Sequence, residues 1–163
     1  MISCAPLLKY YDVVSETTIQ CDASESGLGA TLLQEGQPVA FASRSLSIVE
    51  RQYAQIEKEC LGIGFACSQF NQYLHGRALT TVETDHKPYV PIFQRSIHSA
   101  PKRLQRMLLR LQRYNLNVAY LPGSQMYIAD MLSRAYLQAD RTQCKRTPEY
   151  QICLLYTSDA ADE

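Results

Sequence analysis

The sequence predicts an α/β domain built on a five-stranded mixed sheet. Three observations point there: three short strand-like runs in succession, a long stretch with helical periodicity behind them, and then strands that alternate with helices. The implied order is β-β-β-α-β-α-β-α, an antiparallel meander extended by alternating elements.

The first run, Thr17 to Asp22, sets Ile19 and Cys21 against polar neighbours, so one face is meant for a core. Gly27 to Gln34 and Gln37 to Ser43 follow, separated by short turns around Gly27, Gly36 and Pro38, as in hairpins. From about Val49 to Leu74 the apolar positions Ile56, Cys60, Ile63, Cys67, Phe70 and Leu74 step by four and three, a core-facing helical stripe closed by Gly76. A fourth strand is expected over Ala78 to Thr84. Pro88, Pro91 and Pro101 then punctuate the chain, Pro101 as the first residue of a helix running to about Tyr114. Asn117 to Leu121 reads as the fifth strand, Pro122-Gly123 as a turn, and Tyr127 to Leu137 as the last helix.

The 163 residues are enough to bury a sizeable core, and the composition is that of a globular protein. No apolar run approaches the roughly 20 residues of a membrane span, and no signal-like start is present. The expectation is a cytosolic or nuclear protein without a membrane partner. The six cysteines show no zinc-type spacing, so buried free thiols are expected. Lys plus Arg equals Asp plus Glu, and net charge therefore says nothing about partners.

Four acids stand where the fold would prefer something else. Asp22 ends the first strand and Asp85 closes the fourth, at the strand C-termini where α/β sheets open a ligand crevice. Glu59 lies on the flank of the buried helical stripe, with Gly62 and Ala66 leaving room one turn on and further along. Glu57 points to nearly the opposite side, so the two glutamates cannot serve one site. Asp130 sits in the last helix. Each has a plainer reading: a turn or cap for Asp22 and Asp85, an ion pair for Glu59, an i,i+4 pair with Arg134 for Asp130. Gathered at one sheet edge, however, like charges about 4 Å apart would cost about 4 kcal/mol per pair at an effective dielectric near 20. Such a cluster persists by binding divalent cations or by holding protons. Hard oxygen donors favour Mg²⁺ or Mn²⁺.

Between Asp85 and Asp130 the chain carries no acid, while Arg103, Arg106, Arg110 and Arg113 share one stripe of the helix "PKRLQRMLLRLQRY". Leu104, Met107, Leu108 and Leu111 share another. The stripe is either a solvated amphipathic face or a surface that tracks phosphates.

The segments "DASESGLGATLLQ", "FASRSLSIVERQYAQIEKECLGIGFACSQFNQYLHGR", "VETDHKPY" and "YLPGSQMYIADMLSR" resemble, in order and spacing, the ribonuclease H domain of reverse transcriptases from gypsy-like LTR retrotransposons. The resemblance covers about residues 17–135, and the domain is read as residues 17–137. It implies a ribonuclease-H-like fold whose acids, Asp22, Glu59, Asp85 and Asp130, hold two Mg²⁺ ions, with Mn²⁺ as a substitute. It further implies cleavage of the RNA strand of RNA/DNA hybrids, a polymerase domain in cis, and a place in virus-like particles in the cytoplasm or in the nucleus. Residues 1–16 resemble the connector from that polymerase. Residues 138–163 are set apart as an irregular tail whose closing "CLLYTSDAADE" resembles a translated sequencing adapter. Two departures stand out. Nothing after His98 is a histidine, whereas cellular ribonucleases H carry a His-bearing loop before the last acid. Met126 also replaces the usual Asn four residues before Asp130, which predicts a looser start to the last helix. No YxDD polymerase motif occurs, so the chain is expected to be a part of a longer polyprotein. A copy that holds hybrid without cutting it is the alternative expectation.

Overall fold

In a computed structural model, residues 8–86 and 100–134 are described. Their strands are β1 (Thr18–Ala23), β2 (Gly27–Gln34), β3 (Gln37–Ser45), β4 (Thr80–Thr84) and β5 (Leu116–Tyr120). The described helices are α1 (Ile48–Arg51), α2 (Gln55–Gln69), α3 (Asn71–Leu74), α4 (Lys102–Leu111) and α5 (Tyr127–Arg134), with a 3-10 turn at Gly123–Gln125.

The sheet runs β3-β2-β1-β4-β5. β1, β2 and β3 form the antiparallel meander, while β4 lies parallel to both β1 and β5. The β2–β3 turn needs positive φ at two successive residues, Glu35 (52°) and Gly36 (74°), and only the second is a glycine. Because the β1-to-β4 connection is a crossover, β1 ends at the same edge of the sheet as β4, which brings Asp22 and Asp85 together. α2 covers the face that carries Ile19, Cys21 and Ala23; α4 extends that layer, and α5 lies on the other face. Cys60, Ile63, Cys67, Phe70 and Leu74 are buried as the helical stripe predicts, with Ile56 partly so. Leu104, Leu108 and Leu111 add α4's apolar side to the same core.

The expected helix from Val49 to Leu74 is broken twice. Ser47 caps α1, accepting the Glu50 N–H while the Glu50 carboxylate takes the Ser47 N–H, and the chain then turns out of helix before Ala54 (ψ 150°). α2 restarts there, with the Glu57 carboxylate accepting the Ala54 N–H at 3.1 Å. Phe70 (φ −93°, ψ 14°) separates α2 from α3. At α4, Pro101 has an extended ψ of 146° and stands outside the helix rather than as its first residue. The positions of Pro88, Pro91, Lys87, Arg95 and His98, and all residues after Arg134, lie outside the described residues, as do Cys4, Cys144 and Cys153. Cys21, Cys60 and Cys67 are buried free cysteines, and burial pushes the Cys67 thiol up to about 12.

Residues ahead of β1 are bound to the domain. Gln34, buried in β2, donates to the Asp12 carbonyl (2.7 Å), the Ser15 carbonyl (3.2 Å) and Thr17 Oγ1 (3.1 Å). Arg77 donates to the Ser15 carbonyl from both Nη atoms and lies 5.4 Å from the Tyr11 ring centre. No described helix is long and apolar enough to cross a membrane.

Candidate active site

Asp22 pairs in register with Gly29 of β2, and Gly29 is what lets α5 in. A Cβ on Gly29 would stand 2.3 Å from the Ala129 carbonyl oxygen and 2.5 Å from the Ser133 nitrogen, so α5 rests directly on strand backbone. Three serines fix it there. Ser24 Oγ donates to the Ser133 carbonyl (2.8 Å), Ser43 Oγ to the Leu132 carbonyl (2.7 Å), and the buried Ser133 Oγ to Asp22 Oδ2 (2.5 Å).

Glu59 reaches the same place from the other layer. It is buried, and Gln55 Nε2 donates to its Oε1 at 2.7 Å while also bonding the Ala23 carbonyl (3.1 Å). Gly62, one turn on, leaves ordinary contact distance to Asp22 and Leu28. Asp85 follows β4, exposed, with Gly123 against it: a Cβ there would stand 3.2 Å from Asp85 Oδ2. Carboxylate oxygens of Asp22, Glu59 and Asp85 all lie within 4.8 Å of one another. Asp130 lines the same hollow of about 290 Å³ as Asp22 and Asp85.

The electrostatics follow from this crowding. Burial drives the Glu59 carboxyl up to about 8, and the charges of Asp22 and Asp85 push the same way against the Gln55 hydrogen bond. Asp22 is likewise raised, first by burial and then by Asp85 and Asp130, with the Ser133 hydrogen bond opposing. Among the described residues none of Asp22, Glu59 and Asp85 is in an ion pair, whereas Asp130 is held by Arg134 at 2.7 Å. The donor set suits a hard divalent cation: three converging carboxylates, one of them buried with a single amide donor, gain from a cation what they lose to one another.

The predicted basic stripe divides. All four side chains are exposed. Arg103, however, pairs with Glu57 of α2 (3.1 Å) and stacks 4.3 Å from the Tyr53 ring centre, so the acid that balances it comes from a neighbouring helix. This also gives Glu57 its separate structural task. Arg110 and Arg113 border a different hollow, described below.

The family described as the RNase H-like domain found in reverse transcriptase matches residues 12–114. The chain belongs to that family. It is 32% identical over 160 residues to the "Retrovirus-related Pol polyprotein from transposon gypsy" of Drosophila melanogaster, covering 96% of this chain and 15% of that protein. Among solved structures, RNase H1 from the archaeon Halobacterium salinarum matches with a TM-score of 0.58 at 15% identity, covering 73% of this chain and 95% of that one. The foamy viral protease-reverse transcriptase in complex with RNA/DNA hybrid matches with a TM-score of 0.58 at 17% identity, covering 86% of this chain and 19% of that one. At such identities the likeness establishes the fold: this is an RNase H fold, as the resemblance implied.

Sequence reasoning missed the RNase H-like site's supporting residues: Gln55, Gly29, Gly123 and Ser133. Gln55 stands one helical turn before Glu59, a spacing that would have found it. Ser133 and Gly29 meet only through the packing of α5 on β2.

Proposed function

We propose that this domain hydrolyses the RNA strand of RNA/DNA hybrids, using two Mg²⁺ ions for which Mn²⁺ can substitute, within a longer protein that also carries a reverse transcriptase polymerase. One observation carries the reading: carboxylates from β1, α2 and the end of β4 converge within 4.8 Å, and none of them is in an ion pair among the described residues. Asp22, Glu59 and Asp85 would hold the ions, with Asp130 at the rim. Divalent ions bound there supply an activated water and stabilise the leaving 3′-oxygen of a phosphodiester.

The chain's own side chains set the geometry. Ser133 orients Asp22 by donating to its Oδ2, and Gln55 orients Glu59 by donating to its Oε1. Arg134 holds Asp130 beside the hollow and adds positive charge where a phosphate would approach. Arg106 and Arg110, exposed on α4 and in none of the described ion pairs, are available to the hybrid's backbone, whose RNA strand is told from DNA by the 2′-hydroxyl.

A labelled hybrid incubated with the chain and Mg²⁺ should lose its RNA strand only, and Asp22→Asn should stop this. The Asp130–Arg134 pair favours one second reading, a module that holds hybrid without cutting it. Tight hybrid binding with no cleavage in Mg²⁺ or Mn²⁺ would establish that reading instead.

A further inference from the structure

A second hollow, about 380 Å³ and roomier than the one beside the acids, lies elsewhere in the domain. Ser68 follows Glu59 by nine residues, about two and a half turns, so the wall it forms belongs to the opposite side of α2. There the helix presents Gly64, where a Cβ would meet nothing within 4 Å, and Ser68. Three guanidinium groups surround this notch. Arg44 comes from β3, Arg110 from α4, and Arg113 from just beyond it.

The groups are held ready. Arg44 is bound through both terminal nitrogens to Glu50 (2.9 and 3.1 Å) and sits 5.7 Å from the Phe65 ring centre; its buried Nε has no hydrogen-bond partner among the described residues. Arg113 lies 4.7 Å from the ring centre of Tyr114, whose hydroxyl is pinned to Asn71 at 2.8 Å. Among the described residues neither Arg110 nor Arg113 is in an ion pair. One carboxylate therefore faces three guanidinium groups. The same hollow offers Tyr114 as a flat aromatic wall, and its volume suits a ligand the size of one nucleotide.

We infer that this hollow is a second, metal-independent site for a phosphate-bearing ligand of nucleotide size, the phosphate held by Arg110 and Arg113 and the base set against Tyr114. Guanidinium forks match phosphate oxygens in geometry as well as charge. A free nucleotide and one unit of a nucleic-acid strand share this chemistry. The site goes beyond the cleavage reading, because a ligand seated on this side of α2 does not touch Asp22, Glu59 or Asp85.

The test uses the full ¹⁵N-labelled chain in EDTA, titrated separately with inorganic phosphate, AMP and an oligothymidylate octamer. Saturable amide shifts at Gly64 and Ser68 with AMP or the octamer are expected, and whichever of the two binds more tightly identifies the source. Gly64→Leu fills the notch and Arg110→Glu reverses a charge, and each should weaken binding by at least about tenfold. Arg103→Ala should leave it unchanged, as should Asp22→Asn, which separates this site from any failure of the cleavage reading. Absence of saturable shifts with all three probes, indifference to Arg110→Glu, or dependence on added Mg²⁺ would each overturn the inference. Should Gly64→Leu not fold, as judged by its melting curve, the Arg110→Glu titration decides alone.

Discussion

Glu57 and Glu59 are two residues apart on the same helix, both buried, and they live under opposite electrostatic regimes. Glu57 has an arginine at 3.1 Å and a backbone N–H to accept, so its charge is balanced within the fold. Glu59 has one amide donor and two acids for company, and burial drives its carboxyl up to about 8. The lesson is that burial of an acid says little by itself. What separates a structural carboxylate from a candidate ligand is whether the fold supplies its counter-charge.

The sharpest way to break the contrast is activity. Glu59→Gln should reduce hybrid cleavage at least about 100-fold in Mg²⁺, read on a labelled hybrid, while Glu57→Gln stays within a few-fold of wild type. Equal losses would mean that both glutamates act through the fold.

Stability should move the other way, and with pH. In the metal-free folded protein Glu59 keeps its proton up to about pH 8, whereas in the unfolded chain it ionises near its ordinary value of 4.5. The folded state thus holds more protons between those limits, and stability falls as pH rises from 4.5 to about 8. Glu59→Gln removes that decline. In EDTA the variant should melt higher than wild type by about 5 °C or more at pH 8, with little difference at pH 5. A gap that shrinks as pH rises would contradict the assigned direction.

Metal should reverse the order. Added Mg²⁺ should raise the wild-type Tm by mass action and leave Glu59→Gln nearly unmoved. Smallest of all is the balanced partner. Because Arg103 is half exposed, its pair with Glu57 is worth about 1 kcal/mol or less, and Arg103→Ala should lower Tm by only a few degrees, independent of metal.

These contrasts also mark how far the sequence could be read. The alternation around Ile19 and Cys21 and the four-three stepping from Ile56 to Leu74 are local patterns. They were enough for the meander, the core stripe and the opposed directions of Glu57 and Glu59. The break at Ala54 escaped because it depends on Ser47 and Glu50 closing a short helix ahead of it, while the apolar periodicity runs on undisturbed. Asp22 and Asp85 could be placed at strand ends, but their common edge required the parallel pairing of β1 with β4. Arg103 looked unbalanced because its counter-charge lies 46 residues away in the chain. Ser133 carried no signal at all beyond its place near Asp130, since its role exists only once α5 meets Gly29.

That meeting has a consequence for timing. The strand that bears Asp22 leaves the ribosome well ahead of α5, which carries the serine that steadies this carboxylate. A nascent domain therefore completes its sheet before Ser133 is in place, and a protease that clipped the chain just ahead of Tyr127 would leave Asp22 without that hydrogen bond and the backbone at Gly29 uncovered.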